Sequence, residues 1–251
     1  MNDTKVVILA AGQGKRMGAV VPKPLVPIAG KAMISHLLER VRASGLDQKP
    51  VVIVSVDGRA DFEAELGNSV EYAVQVKQNG TGDALKAAED ACQDAARIIV
   101  LYGDHPFISA PVIAKLGELS RLNPTALVML TATVPSFEGD YSVFKSWSRV
   151  LRNTAGKIIG DRQVKDASAE ELEIREVNPC IFVFPAPWVW EHLAQLKNNN
   201  AAGEYYLTDL VSMAMKEGKE IVSETVDALE VTGINTPEEL QKVEAIVNKR
   251  L

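Results

Sequence analysis

The sequence predicts an α/β protein with a mostly parallel sheet covered by helices on both faces. Three observations carry that expectation. Short β-branched apolar runs alternate with helix-like segments through the first half of the chain, the pattern of a parallel sheet. The first run, Val6-Val7-Ile8-Leu9-Ala10, holds no polar residue, as suits a strand buried on both faces. It ends in a glycine-rich turn, Ala11-Gly12-Gln13-Gly14-Lys15-Arg16-Met17-Gly18.

The elements follow in order. Strands are expected at Lys5–Ala10, Val51–Val56, Val70–Gln75, Ile98–Leu101 and Ala126–Thr133. Helices are expected between them at Ala32–Ala43, Arg59–Leu66, Asp83–Ala95 and Pro111–Leu119. Pro111 suits a first helical turn, where its missing N–H is not needed, and Ser109 is the expected cap. Pro135 to Trp147 is polar and aromatic and reads as a loop or lid. Arg149–Arg152 and Lys157–Gly160 flank Asn153-Thr154-Ala155-Gly156 and read as a hairpin. Ser168-Ala169-Glu170-Glu171 is a capping-box pattern that opens a short helix. Ile181–Phe184 reads as a strand, and Pro187–Lys197 and Tyr205–Lys216 as helices. Tyr206, Leu210 and Ala214 would share one face of the second. Late strands are expected at Ile221–Val222 and Ala228–Val231. The last helix opens at Thr236-Pro237-Glu238-Glu239, with threonine as cap and proline in the first turn. No repeat, low-complexity tract or composition break divides the chain, so one domain with a lid-like insertion is expected.

Composition narrows the function. The chain has 251 residues, 47% of them hydrophobic, enough for a sizeable core. Its net charge of −6 excludes a general basic field for nucleic acid. An anionic small-molecule substrate would need cations placed locally. Cys92 and Cys180 lie far apart and read as two thiols in a reducing compartment rather than a disulfide. No run approaches the ~20 apolar residues of a membrane span, and the opening run lacks the flanks of a secretory leader. A cytoplasmic protein is expected.

The glycine turn supplies such cations. Gly12 and Gly14 allow a tight turn and close approach of backbone to a ligand. Free amides in such a turn form an anion nest, and Arg16 and Lys23 add full positive charges. Two better-known motifs do not fit. Gly12, Gly14 and Gly18 place the third glycine one residue late for a dinucleotide fingerprint. Gly14-Lys15-Arg16, Gly30-Lys31-Ala32 and Gly156-Lys157-Ile158 lack the serine or threonine of a P-loop. A plain βα connection would also explain the turn alone.

Five ordered motifs go further. Leu9 to Met17 with Pro22-Lys23-Pro24-Leu25 resembles the signature of the sugar-phosphate nucleotidylyltransferases. Gln75 to Gly82 resembles the nucleobase loop of the N-acetylglucosamine-1-phosphate uridylyltransferases, and Tyr102-Gly103-Asp104 their metal-binding turn. Gly203-Glu204-Tyr205-Tyr206-Leu207-Thr208-Asp209 and Gly233-Ile234-Asn235 match two more, in the right order. The resemblance runs over nearly the whole chain and is to the uridylyltransferase domain of the bacterial bifunctional enzyme. The chain stops at Leu251, and the acetyltransferase repeats of that enzyme are not expected here. The resemblance implies a Rossmann-like, three-layer nucleotidyltransferase fold with a mixed, mostly parallel sheet. It implies a nucleotide-binding half over about residues 1–133, a sugar-phosphate half over about 134–235 and a C-terminal helix over about 236–251.

The implied reaction is attack of a sugar-1-phosphate oxygen on the α-phosphorus of UTP, releasing pyrophosphate. A phosphate monoester has a second pKa near ~6, so the nucleophile is ionised at neutral pH and no general base is required. Catalysis then consists of bringing anions together and stabilising charge. The resemblance assigns Arg16 and Lys23 to the triphosphate and transition state, and Asp104 and Asn235 to Mg²⁺. It assigns Leu9, Ala10, Ala11, Gly12, Gly14, Gln75, Gly80, Thr81, Tyr102 and Gly103 to the nucleotide. A glutamine amide can turn over to pair with uracil or with cytosine, so uracil rests on the resemblance. Ser148, Gln163, Asn178, Tyr206 and Thr208 fall at its sugar-side positions. His105 has no second histidine at ligand spacing and reads as a loop residue near the substrate.

The chain departs from the pattern at several positions. Ser148 replaces a glycine and Gln163 a glutamate. Asn178-Pro179-Cys180 replaces Asn-Thr-Gly, and Gly82-Asp83-Ala84 replaces Gly-His-Ala. These departures keep two other readings open: cytidylyl or other nucleotidyl transfer to a different phosphorylated substrate, and a nucleotide-sugar-sensing domain with weak turnover. Oligomeric state is not legible.

Overall fold

The computed structural model describes residues 3–12, 14, 17, 18, 21–200 and 202–241. Arg16 and its neighbour Lys15 lie outside the described residues, as does the last helix beyond 241.

A ten-stranded mixed sheet organises the chain. Its parallel half is made of β1 (Thr4–Leu9), β4 (Val51–Ser55), β5 (Glu71–Gln75) and β6 (Arg97–Tyr102), in the order β5-β4-β1-β6. The small antiparallel pair β2 (Pro27–Ile28) and β3 (Lys31–Ala32) stands apart. Antiparallel β11 (Phe182–Pro185) joins β6 to β7 (Leu127–Thr133). Further along β7 comes β10 (Glu176–Val177), which leads to the hairpin β8 (Arg149–Arg152) and β9 (Ile158–Arg162). On the other edge of β7 runs β12 (Ile221–Asp227), parallel over its full length.

The apolar runs predict this burial. Along β1, Val6 and Ile8 enter one core while Val7 and Leu9 enter the other, so both faces must be covered. On the first face lie α1 (Met33–Ala43), α2 (Arg59–Leu66) and α4 (Ala110–Leu122), inserting Leu37, Val41, Phe62 and Ile113. On the second lie α3 (Thr81–Lys86), α6 (Ala186–Leu193) and α7 (Asp209–Lys216), inserting Leu85, Val189 and Leu210. Between the hairpin and β10 lies α5 (Ala169–Leu172), closed by the Ser168–Glu171 capping box that its sequence predicts. Thr236 likewise accepts from the Glu239 amide and starts the last helix. No helix among the described residues is long and apolar enough to cross a membrane.

Four expectations are corrected. α3 begins two residues early and ends at Lys86, and i→i−3 turns replace its second half. Those tighter turns keep Leu85, Ala88 and Cys92 against the sheet. α7 begins at Asp209, so Tyr206 precedes the helix and is not on its apolar face. The segment before it is pinned by bonds from the Tyr205 amide to Asn79 O and from the Gly82 amide to Tyr205 O. β12 is one continuous strand, and Ala228–Val231 is a 3₁₀ turn capped by Asp227. Its half-exposed Ser223-Glu224-Thr225 stretch has no apolar run to mark it.

The segment 135–147, expected as a loop or lid, forms a 3₁₀ stretch at Gly139–Ser146 anchored through Phe144. Phe144 is fully buried and meets Trp147 edge-on at 4.8 Å. Arg149 locks this segment to the hairpin. Its side chain is 1% exposed, and its guanidinium donates to the carbonyls of Lys145, Trp147 and Leu172. It also lies over the Phe137 ring at 4.2 Å. Three carbonyls lose their donor together if it is removed. We therefore expect Arg149→Ala to cost about 2–4 kcal/mol, read as a lower denaturant midpoint. An unchanged midpoint would show that the guanidinium does not hold this segment.

Candidate functional site

Parallel pairing sets the C-terminal ends of β1, β4, β5 and β6 side by side, ending at Leu9, Ser55, Gln75 and Tyr102. Sites in open α/β sheets sit at that edge. A cavity of about 820 Å³ opens there, lined by Leu9, Ala10, Ala11, Gly12 and Gly14 from the first turn. Gln75, Gly80 and Thr81 also line it, as do Lys23, Tyr102 and Asp104.

Glycine has distinct uses around this cavity. Gly14 has φ +55°, and a Cβ there would stand 2.6 Å from Lys23 Cβ. The turn thus brings Lys23 close. Among the described residues beyond its chain neighbours, none has an atom within 4 Å of where a Cβ on Gly12 would stand. Gly80 has φ +109° and packs against the Tyr205 backbone. Gly103 lines neither cavity; its amide donates to Leu9 O, and its Cα seats Pro24 and Ala10.

Base-side groups are held by hydrogen bonds. Gln75 is 5% exposed, and its Nε2 donates to Gly80 O at 3.0 Å and to Asp83 Oδ2 at 2.9 Å. Thr81 Oγ1 accepts from the Leu207 amide at 2.9 Å. Gln78, within the nucleobase-loop motif but unassigned by it, donates to Ala11 O at 2.6 Å and ties that loop to the first turn.

A cation lies at the centre. The Lys23 ammonium is paired with Asp104 and donates to Asn235 Oδ1 at 2.9 Å. Asn235 comes from a different part of the chain, brought there by the bond from the Ile234 amide to Asp104 O. Its own amide donates to Glu239 at 2.5 Å. Burial by itself would raise the Asp104 carboxyl, but nearby positive charge outweighs it and holds the group below its usual value. Burial depresses His105, while the Asp104 carboxylate beside it opposes that shift. Burial also raises the Tyr102 phenol well above its ordinary value and keeps it neutral.

Asp104, Tyr102 and Thr81 also border a second cavity of about 530 Å³, lined by Ser148, Gln163, Asn178, Tyr206, Thr208 and Asn235. Both atoms of the Asn178 amide are engaged: Nδ2 donates to Asp161 at 2.9 Å, and Oδ1 accepts from the Cys180 amide at 2.7 Å. Cys180 takes φ +62°, unusual without glycine. Ser148 faces the same Asp161 carboxyl, which burial raises. His105 stacks between Tyr102 and Trp147 along this cavity, with ring centres 5.6 and 6.3 Å away.

The structure thus brings together every described residue assigned to the site except Gly103, which supports it from behind. It adds Gln78, Asp161, Lys165 and Cys180. Asp161 lies in β9 beside Arg162, and nothing in the sequence marks it; the fold buries it against Asn178 and Ser148.

The fold is that of a nucleotidyltransferase, with a Rossmann-like sheet. The chain belongs to the family of MobA-like NTP transferase domains, whose pattern matches residues 6–208. It is 35% identical over 253 residues to the bifunctional protein GlmU of Brevibacillus brevis, covering 100% of this chain and 53% of that protein. It is 37% identical over 249 residues to GlmU of Aromatoleum aromaticum, covering 98% and 52%. The chain therefore spans about half the length of these curated relatives. Among solved structures, a Bacillus anthracis protein assigned as a glucose-1-phosphate thymidylyltransferase, in complex with sucrose, superposes with TM-score 0.77 at 22% identity. That match covers 97% of this chain and 94% of the other. CMP:2-keto-3-deoxy-manno-octonic acid synthetase complexed with CTP gives TM-score 0.72 at 22% identity, covering 99% of both chains. At that identity the two likenesses speak for the fold.

Burial pushes both thiols, Cys92 and Cys180, up to about 12. The reactive thiolate is thus scarce at pH 8. We expect native protein to resist iodoacetamide at pH 8 at both positions, with both labelled after denaturation. Mass spectrometry showing rapid native labelling of Cys180 would contradict this.

Proposed function

We propose that the protein transfers a uridylyl group from UTP to N-acetylglucosamine-1-phosphate, giving a nucleotide sugar and pyrophosphate. The observation that carries the reading is the Lys23 ammonium bound by Asp104 and Asn235 where the two cavities meet. One cavity is large enough for a nucleotide, the second borders the same polar centre, and the GlmU relatives match the chain end to end.

The chemistry needs little from the protein beyond placement and charge. The sugar phosphate is already ionised, so the protein must align it with the α-phosphorus and offset the negative charge that gathers there. Leu9, Ala10, Ala11, Gly12 and Gly14 supply the backbone cradle for the triphosphate. Lys23 supplies positive charge beside it, and Arg16 is proposed for the same task. Gln75, Gly80 and Thr81 face the base and ribose beside Tyr102, with Gly103 supporting the site from behind. Ser148, Gln163, Asn178, Tyr206 and Thr208 face the sugar phosphate. In this reading residues 1–133 form the nucleotide half and 134–235 the sugar-phosphate half.

Mg²⁺ fits the donor set. Asp104 and Asn235 offer hard oxygen atoms to one point, and that point already holds a cation, the Lys23 ammonium. When bound, the ion neutralises phosphate charge. The two unpaired thiols accord with a cytoplasmic setting.

A second reading keeps the transfer and changes the acceptor. The Asn178 amide is committed to Asp161 and Cys180, and Gln163 offers a neutral amide. Another phosphorylated sugar or alcohol, or CTP as donor, would then be the substrate.

Pyrophosphate release with Mg²⁺ across four nucleoside triphosphates and a panel of sugar-1-phosphates separates the readings. Release with UTP and N-acetylglucosamine-1-phosphate is the expected result; release with another pair moves the assignment, and binding without release points to a sensing domain. Asp104→Ala should lower kcat by roughly a hundredfold or more. Wild-type turnover in that variant would remove Asp104 from the metal site. Gln163→Glu should raise kcat/KM for N-acetylglucosamine-1-phosphate, and an unchanged acceptor preference would place Gln163 outside the pocket.

A further inference from the structure

We infer that Asp83 sets the base preference of the nucleotide cavity. It does so by locking the Gln75 amide so that only the carbonyl oxygen is presented, which selects uracil over cytosine. The inference rests on the reading that this cavity takes a nucleoside triphosphate with its base at Gln75.

A free glutamine amide offers a donor or an acceptor equally well, because it can turn over at little cost. Gln75 is not free. It ends β5, is 5% exposed, and lines the cavity. Its neighbours decide its orientation. Gly80 O lies 3.0 Å from Nε2 and Asp83 Oδ2 lies 2.9 Å from it. A carbonyl oxygen and a carboxylate oxygen both accept and do not donate. The nitrogen must therefore face them. Turned over, the amide would lose two hydrogen bonds and press its oxygen against two acceptors, one of them charged.

Both partners are themselves fixed. Gly80 holds φ +109° against the Tyr205 backbone. Asp83 stands in the first turn of α3, whose start is tied down by the Gly82 amide donating to Tyr205 O at 2.8 Å and by Thr81 accepting from the Leu207 amide at 2.9 Å. With both N–H groups of the Gln75 amide taken, the oxygen is what remains for a ligand. Uracil carries a hydrogen on N3, whereas cytosine carries a lone pair at the same ring position. An acceptor facing that edge pairs with the first and repels the second. A purely helical role for Asp83, as an acid near a helix start, would explain the residue type but not its bond to a buried amide in the cavity wall.

The test compares kcat/KM for UTP and for CTP in the full chain and in Asp83→Ala and Asp83→Asn. The wild type should prefer UTP and bind 3-methyl-UTP poorly. Asp83→Ala should lower the UTP-to-CTP ratio by about tenfold or more, the worth of one hydrogen bond to a charged group. Asp83→Asn, which keeps the shape and can pair with either amide orientation, should lower it too. A merely structural role would change the melting temperature and leave the ratio alone. An unchanged ratio in both variants, or a wild type that uses CTP as well as UTP, overturns the inference. If no substrate pair is turned over, the same comparison is made by equilibrium binding of UTP and CTP. A ratio shifted by the variants then upholds the lock while the proposed transfer fails, and an unshifted ratio removes the lock.

Discussion

The site depends on one interaction, the Lys23 ammonium held between Asp104 and Asn235. The Lys23 and Asp104 side chains are each only 15% exposed. A cation so placed is costly unless acceptors surround it, and removing one partner from a buried pair costs about 3–5 kcal/mol. The three residues come from the first loop, the end of β6 and the segment after β12, so their meeting fixes how distant parts of the chain sit together. Gly14 lets the loop reach in, Gly103 gives Pro24 a seat, and the Ile234 amide ties the late segment to Asp104.

The sheet explains why such a polar centre can exist in an apolar body. Strands β1, β4 and β6 bury both faces, so their side chains are committed to the two cores. Polar chemistry is pushed to the strand ends, where the backbone leaves the ladder and can turn towards a ligand. The two cavities lie along that edge and share Thr81, Tyr102 and Asp104. A substrate in one is therefore within reach of a substrate in the other, the arrangement that a transfer between two bound anions requires.

The two cavities are built differently. The nucleotide side relies on backbone and on glutamine amides held by main-chain carbonyls and the Asp83 carboxylate. The other side relies on a buried carboxyl, Asp161, which orients Asn178 and faces Ser148, and on the stacked rings of Tyr102, His105 and Trp147. This side is also where the chain departs from the pattern that its motifs resemble.

By itself the sequence determined the core of the molecule. Unbroken β-branched runs demand strands buried on both faces, and the spacing of apolar residues in Met33–Ala43 and Ala110–Leu122 demands helices to cover them. Capping at Ser168 and Thr236 was equally legible, because it needs only neighbours along the chain. The glycine turn and the ordered motifs pointed to Lys23, Gln75, Asp104 and Asn235. What stayed hidden depends on contacts far apart in sequence. β12 is a strand because β7 offers it a full ladder, not because its residues prefer one. Tyr206 leaves the helix because the preceding segment is tied to the loop at Asn79 to Thr81. The sequence assigns no role to Asp161 and marks Asp83 only as a departure from the motif; packing turns one into a buried anchor and the other into the partner of Gln75. Local periodicity decides which face of an element is buried; which polar groups then meet is decided by the closing of long loops, and that is settled only in three dimensions.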